Sequence, residues 1–207
     1  DDLPCMDNDD LRRGKPTNHV VSGEAMAILA GDGLLTHAFE LMAAQTHPAA
    51  FAALGEIARA AGIGGMLRGQ TLDVTLEGTR PTREQVEQIH LGKTAAMITA
   101  PVTAGLLLAG ASPDQIAAGR EYGKHLGVAF QIVDDLLDLE GDPAVLGKSI
   151  GKDQAEGKLT WPACVGAAQA RMDAETHLRQ AAEALACFGE QGAFLRQLAL
   201  ENLHRAQ

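Results

Sequence analysis

The chain has 207 residues, of which 46% are hydrophobic and 21% charged, a balance that suits one globular domain with an ample core. Its formal net charge of -10 argues against a nucleic-acid partner, because a phosphate backbone binds to a basic face. Three widely spaced cysteines in no Cys-x-x-Cys pattern give no sign of a disulfide framework or zinc site, which favours a reducing, cytoplasmic location.

Aromatic residues make up only 3% of the chain, while Ala, Leu and Gly are abundant, which favours helices packed through small side chains. No uninterrupted apolar run approaches the roughly 20 residues that a membrane span needs, so we expect no membrane span. The sequence starts at Asp1, without Met and inside a motif-like stretch. We therefore expect that further residues precede it in the natural protein.

The first stretch concentrates acidic residues and follows them with basic ones. Arg12, Arg13 and Lys15 come directly after the acids, and acid followed by base suggests a metal ion together with an anion. An EF-hand calcium loop does not fit, because Met6 takes the place of the turn glycine and Arg12 that of the terminal Glu. A disordered acidic terminus is the alternative. The acids are Asp1, Asp2, Asp7, Asp9 and Asp10.

Three helices are predicted next, over residues 22–45, 49–77 and 82–110. Four glycines between residues 62 and 69 lower the helix propensity of the second, so we expect another helix or a ligand to approach closely there. Gln70 and Asp73, one turn apart, face either a cavity or an inter-helix hydrogen bond. The third helix carries Lys93-Thr94, although a single helical lysine is normally a surface residue.

The clearest helix follows Ser112-Pro-Asp-Gln115, in which Ser is placed as N-cap and Gln as its partner in a capping box. It ends near Gly141. Asp134 and Asp138 lie one turn apart and repel each other, and in so apolar a helix they are best satisfied by a divalent cation such as Mg²⁺. A solvated polar face is the alternative. The predicted apolar face comprises Tyr122, Leu126, Ala129, Phe130, Val133 and Leu137, and the polar stripe Lys124, Gln131, Asp134, Asp135 and Asp138.

Residues 146–158 are rich in Gly and Lys and predict a loop. Its Gly-Lys-Ser is not a P-loop, because the upstream glycine and preceding strand are absent. Lys148, Lys152 and Lys158 could instead close over an anion near the acidic helix. Two ordinary amphipathic helices are predicted after Trp161, over about 163–188 and 192–205.

Together these motifs resemble the trans-polyprenyl diphosphate synthases, and farnesyl and geranylgeranyl diphosphate synthases most of all, because four residues separate Asp2 from Asp7. The resemblance covers nearly the whole chain. It implies a single all-α domain over residues 1–207, a helical bundle around a central cavity, with its N-terminal helices missing from this chain. The matching motifs are the first acidic stretch with Arg12-Arg13, Gly69-Gln70-x-x-Asp73, Lys93-Thr94, Phe130-Gln131-x-x-Asp134-Asp135-x-x-Asp138 and Gly147-Lys148.

The resemblance also implies a reaction and a set of site residues. Isopentenyl diphosphate would be condensed with an allylic diphosphate (dimethylallyl, geranyl or farnesyl) to give farnesyl or geranylgeranyl diphosphate, in a homodimer. Lys93, Thr94 and Gln131 would be catalytic, and the helix of residues 49–77, with Met66 and Leu67, would line the pocket for the hydrocarbon tail. The Mg²⁺ ligands would be Asp1, Asp2, Asp7, Asp134, Asp135 and Asp138, and the substrate contacts Arg12, Arg13, Lys93, Thr94, Gln131, Lys148 and Lys158.

Two other functions share parts of this pattern. A class I terpene cyclase or head-to-head synthase has an Asp-rich helical cavity but would not need two intact Asp-rich motifs beside an arginine pair. A non-catalytic regulatory subunit of a prenyl synthase would usually have eroded motifs. Product formation without isopentenyl diphosphate would favour the cyclase.

Overall fold

The computed structural model describes residues 1–80, 82–140 and 157–202, and these residues are predominantly helical, as predicted. Within those ranges the strands form one small hairpin, β1 (Leu11–Arg12) with β2 (Lys15–Pro16). The helices, in chain order, are α1 (Asn18–Ser22), α2 (Glu24–Ala43), α3 (Ala50–Ala61), α4 (Met66–Leu76), α5 (Arg83–Ile89), a π-helix (His90–Ala95), α6 (Ala96–Leu108), α7 (Pro113–Glu140), α8 (Trp161–Val165), α9 (Ala167–Ala184), a 3₁₀ helix (Leu185–Gly192) and α10 (Ala193–Glu201).

Helix α7 lies at the centre of the bundle and packs most extensively against α9 and α6. Its C-terminal half contributes Ile132 to a core that includes Ile89 of α5 and Trp161 of α8. Its N-terminal half contributes Tyr122 to a second core with Leu178 of α9. Burying each large apolar side chain stabilises the fold by about 1.5–3 kcal/mol, so α7 ties the two cores into one body.

The helix starts predicted from sequence are present. The backbone N–H of Gln115 donates to Ser112 Oγ at 3.3 Å, while the backbone N–H of Ser112 donates to Gln115 Oε1 at 2.9 Å. Thr82 and Gln85 form the same reciprocal capping box at the start of α5. Each box satisfies two backbone donors that would otherwise have no partner at a helix N-terminus.

Two predicted helices are in fact broken. The helix expected over 49–77 is α3 and α4, separated by a turn in which a Cβ at Gly65 would lie 2.2 Å from the Ala60 carbonyl oxygen. The helix expected over 163–188 is interrupted at Gly166, whose φ of +83° lies in the left-handed region. In both places glycine allows a helix break that apolar periodicity does not report.

The predicted apolar face of α7 is correct in part. Tyr122, Ala129 and Val133 are buried, but Phe130 is exposed, with 39% of its surface accessible. Asp135 and Asp138 are each only 5% exposed. These two carboxylates of the polar stripe therefore sit inside the bundle and need protein or ligand partners there.

Three segments of the described chain are long and apolar enough to cross a membrane, judged by length and composition alone: Glu24–Ala43, Ala50–Leu76 and Arg83–Leu108. The second contains the glycine turn and the third contains the π-helix. Only the first is one continuous α-helix. The absence of a membrane span stays a prediction.

Candidate active site

The hairpin at the start of the chain aims Arg12 back at the first acidic stretch. Arg13 and Gly14 form its two-residue turn, and both have positive φ angles (54° and 72°), the geometry that fits the twist of a tight hairpin. Arg13 itself is exposed at the turn. Its predicted contact with isopentenyl diphosphate stays a prediction.

Arg12 binds both of the first two aspartates. Its Nη2 donates to Asp1 Oδ1 at 2.9 Å, and its Nε donates to Asp2 Oδ1 at 3.0 Å. This hydrogen bond holds the pKa of Asp2 below its usual value. Ion pairs as exposed as these contribute about 0–1 kcal/mol of stability, so their value lies in placing charge rather than in holding the fold.

The third predicted ligand, Asp7, lies against a lysine from the far end of the sequence. Lys158 Nζ is 3.1 Å from Asp7 Oδ1, and both side chains are mostly buried. A small cleft of about 40 Å³ opens beside them, lined also by Asp73 of α4 and by Glu77, which directly follows that helix. The fold therefore brings two of the predicted residues together with carboxylates that sequence reasoning did not connect to them.

Lys93 is held by a carboxylate within the bundle. Its Nζ donates to Asp73 Oδ2 at 2.7 Å, and Asp73 is buried. Lys93 lies in the π-helix, a widened helical turn that is frequent at functional sites. Asp73 thus takes the inter-helix role that the sequence left open, and Lys93 is not a freely moving surface lysine.

A hydrogen-bonded chain links the π-helix to α7. The Thr94 hydroxyl donates to Gln131 Oε1 at 2.6 Å, and Gln131 Nε2 donates to Asp135 Oδ1 at 3.1 Å. The Trp161 amide donates to Asp135 Oδ2 at 2.8 Å, and His90 Nε2 lies 3.2 Å from the same oxygen. The structure joins Thr94 and Gln131, as the motifs imply. It places Asp135 in a buried network rather than on an open face.

His90 and Trp161 were missed as site residues. They stack with ring centroids 5.5 Å apart and an angle of 24° between the ring planes. His90 precedes Lys93 by three residues, which is the one sequence signal for it. A lone histidine on an apolar helix is usually structural, so that signal is weak.

The donor set suits a hard cation, although the described residues do not form a closed metal site. Carboxylate oxygens are the ligands that Mg²⁺ prefers, and Arg12 and Lys158 offset their charge near the first stretch. Within residues 1–80, 82–140 and 157–202, no three His, Cys, Asp or Glu side chains converge on one metal position. Asp134 and Asp138 stand one turn apart on α7, and Lys148 lies outside the described residues.

An apolar cavity of about 180 Å³ lies on another side of the π-helix. Leu91 and Ala95 of the π-helix line it together with small residues of α3 and α6, and Glu56, Arg59 and Lys124 are among its charged lining residues. Met66 and Leu67, expected to line a tail pocket, are not among its lining residues, and Leu67 is 50% exposed. The turn at Gly62–Gly65 redirects the chain, so α3 faces the cavity and the start of α4 does not.

In a comparison with protein families, the polyprenyl synthetase model matches residues 1–190. The chain is 49% identical over 186 residues to a farnesyl diphosphate synthase of Geobacillus stearothermophilus, covering 87% of this chain and 63% of that protein. It is 45% identical over 197 residues to an Arabidopsis thaliana chloroplastic heterodimeric geranylgeranyl pyrophosphate synthase large subunit, covering 91% of this chain and 53% of that protein. The chain thus spans 63% of the length of the first of these relatives and 53% of the length of the second.

Solved structures share the fold. A Helicobacter pylori geranyltransferase complexed with magnesium and isoprenyl diphosphate superposes with a TM-score of 0.83 at 32% identity, over 98% of this chain and 67% of that one. A decaprenyl diphosphate synthase from Rhodobacter capsulatus superposes with a TM-score of 0.86 at 28% identity, over 97% of this chain and 73% of that one.

Proposed function

This chain belongs to the polyprenyl synthetase family, and from that membership we propose that the protein is a short-chain trans-prenyltransferase. It condenses isopentenyl diphosphate with an allylic diphosphate to give farnesyl or geranylgeranyl diphosphate. The relatives that carry the farnesyl and geranylgeranyl names are 44–49% identical to it, which supports the short-chain product class.

The observation that carries this proposal is the two-sided use of the π-helix. Lys93 and Thr94 are committed to polar partners on other helices, while Leu91 and Ala95 line the apolar cavity. One six-residue segment therefore carries a cation and a hydroxyl group and also borders a space for hydrocarbon. A substrate with a charged diphosphate head and an apolar tail needs this juxtaposition.

The cationic side chains bind the diphosphates. Arg12, Lys93 and Lys148 contribute positive charge toward the allylic diphosphate, with Lys158 as an additional contact, and Arg13 serves isopentenyl diphosphate. Charges already in place when the allylic C–O bond breaks stabilise the negative charge that develops on the leaving group. Asp1, Asp2 and Asp7, with Asp134 and Asp138, would hold Mg²⁺, which would supply the remaining charge neutralisation on the leaving group.

Thr94 and Gln131 steady the allylic cation. Their hydroxyl and amide oxygens present partial negative charge without forming a covalent bond to it. The double bond of isopentenyl diphosphate then attacks the cation, a C–C bond forms, and a proton leaves to the departing pyrophosphate. An apolar lining around the cation disfavours water that would otherwise capture it.

We also infer that the protein acts as a homodimer in a reducing, cytoplasmic location. Helix α2 has no buried residue and carries large apolar side chains that are about half exposed or more, Leu29, Leu34 and Leu35 among them. A helix that leaves this much apolar surface exposed favours association with a second copy. The three free cysteines of the described chain agree with reducing conditions.

The decisive experiment is mass spectrometry of products formed by the full-length protein from isopentenyl diphosphate with each of the C5, C10 and C15 allylic diphosphates. We expect C15 or C20 products that require Mg²⁺. A product formed from the allylic diphosphate alone would support the cyclase instead.

A second test is the variant Asp134→Ala, which removes a carboxylate of the acidic motif in the C-terminal half of α7. We expect turnover to fall by about 100-fold or more, because stabilisation of the leaving group is lost, with the melting temperature largely kept. Asp114→Ala, at the exposed N-terminal turn of the same helix, is the control and should retain turnover. Equal turnover in the two variants would contradict the assignment.

A further inference from the structure

Both oxygens of the Asp135 carboxylate accept hydrogen bonds from the protein. Its carboxylate is 5% exposed, Oδ1 accepts from Gln131 Nε2 at 3.1 Å, and Oδ2 accepts from the Trp161 amide at 2.8 Å. His90 Nε2 lies 3.2 Å from Oδ2 as well. An ionised carboxylate offers about four lone-pair positions, so two hydrogen bonds and the adjacent buried His90 ring leave little room for a metal ion.

The carboxylate also decides which way the Gln131 amide points. An ionised carboxylate only accepts hydrogen bonds, so the nitrogen of Gln131 must face Asp135 and its oxygen must face away. That oxygen accepts the Thr94 hydroxyl proton at 2.6 Å. The Thr94 proton is thereby committed inside the protein, and the hydroxyl oxygen is left to act as an acceptor.

His90 supports this arrangement from the π-helix. Its ring is 2% exposed and stacked on Trp161, so its position is tightly defined. Its Nδ1 is buried without a hydrogen-bond partner among the described residues. A tautomer with the proton on Nε2 fits both facts, because Nε2 then faces the carboxylate and Nδ1 has no proton to place.

We propose that Asp135 is a positioning residue rather than a metal ligand: it orients the Gln131 amide and the Thr94 hydroxyl as acceptors toward the allylic cation, with His90 holding it from the π-helix. This inference rests on the proposed prenyl transfer. It divides the acidic motif of α7, leaving the metal role there to Asp134 and Asp138.

Replacing Asp135 by Asn tests the proposal at atomic level. If the new amide oxygen keeps the Trp161 bond, its nitrogen faces Gln131, whose amide must turn round and present its nitrogen to Thr94. The Thr94 proton would then be released toward the reacting carbon. Donors would replace acceptors beside a cation, so we expect kcat to fall about 10- to 100-fold with KM for the allylic diphosphate within about twofold.

Metal binding is measured separately, by calorimetric titration of inorganic pyrophosphate into the full-length protein with Mg²⁺ present. We expect D135N to retain an Mg²⁺-dependent pyrophosphate affinity within about twofold of wild type, and the paired variant D134N to lose it. Equal loss in D135N and D134N would identify Asp135 as a ligand and overturn the proposal. Because this comparison needs no turnover, it stands even if the wild-type protein forms no prenyl product, which would refute only the proposed function.

A matched pair of His90 variants tests the role of this histidine while Asp135 itself stays unchanged. The amide nitrogen of Gln reaches the place of His Nε2, whereas that of Asn falls short. We expect H90Q to keep a kcat about tenfold above that of H90N, with pyrophosphate titrations alike. Equal kcat values in the two variants, with melting temperatures lowered in parallel, would show that His90 serves packing alone and overturn its part of the proposal.

Discussion

At the scale of single residues, two histidines meet inside the bundle outside the Thr94–Gln131 chain. His125 Nδ1 lies 2.8 Å from His177 Nδ1, so one ring must donate while the other accepts, which requires at least one neutral ring. Burial lowers the pKa of both, that of His177 to about 4. Glu121 and Asp173 oppose this shift, while the cationic side chains of Lys124 and Arg83 reinforce it for one or both rings.

This pair predicts a pH dependence of stability. A histidine with an ordinary pKa of 6.5 when unfolded and about 4 when folded binds protons more readily in the unfolded state. The free energy of unfolding is therefore unaffected by this histidine above about pH 6.5, and it decreases as the pH falls toward 4. Because the ring is partly exposed and water screens it, we expect a loss on the order of 1–2 kcal/mol.

Urea unfolding of wild type and His177→Gln at pH 7.5 and pH 4.5 measures that contribution. Because the substitution changes only this partly buried pair, the difference between the two pH dependences reports the contribution of the His125–His177 pair. We expect the variant to lose less stability on acidification. Parallel losses would mean that His177 protonates as easily in the folded protein as in the unfolded chain.

At the scale of elements, the site depends on how closely α4 approaches the π-helix. A Cβ on Gly69 would lie 1.9 Å from the Lys93 backbone nitrogen, and a Cβ on Gly92 would lie 2.8 Å from the Gly69 Cα. Backbone meets backbone at this point. The contact brings Asp73, one turn further along α4, within reach of Lys93.

Gly69→Ala should therefore force α4 away from the π-helix. We expect the free energy of unfolding to fall by about 1–3 kcal/mol, as for other overpacked contacts, and the Lys93–Asp73 pair to loosen. Gly105→Ala is the matched control, because a Cβ there meets nothing within 4 Å and helix propensity favours Ala by about 1 kcal/mol. Chemical denaturation compares them, and a Gly69 variant as stable as wild type would contradict this packing.

At the scale of the whole molecule, the packing of the described chain does not account for the exposed apolar surface of α2. Its exposed apolar side chains are distributed around the helix, a pattern expected when a helix is covered on several sides. Leu34 is 73% exposed, so within the described chain it contributes little to packing. Covering this helix with a second copy would remove apolar surface from water without altering the cores around α7.

Leu34→Glu tests that assembly. We expect it to convert a dimer into monomers, because a charge in an apolar interface loses its hydration, while helix content remains unchanged. Light scattering coupled to size-exclusion chromatography gives the mass of each form. Glu40→Lys, which changes a polar residue on the same helix, serves as the control. A dimer that survives Leu34→Glu would place the interface elsewhere.

Much of the fold was readable along the chain. The capping boxes at Thr82 and Ser112 and most of the buried face of α7 follow from side chains a few residues apart, whose interactions depend on local geometry alone. The motifs likewise predicted that Thr94 and Gln131 belong to one site.

What only the tertiary structure decided are the contacts between distant segments and the breaks within helices. Nothing near Asp135 in the sequence indicates that the Trp161 amide and His90 converge on its carboxylate. Periodicity describes one face of one element, whereas a buried carboxylate takes its role from whichever donors the packing of several elements brings to it. For that reason the acidic motif of α7 could be recognised in the sequence, whereas the buried contacts of Asp135 could be recognised only in the folded structure.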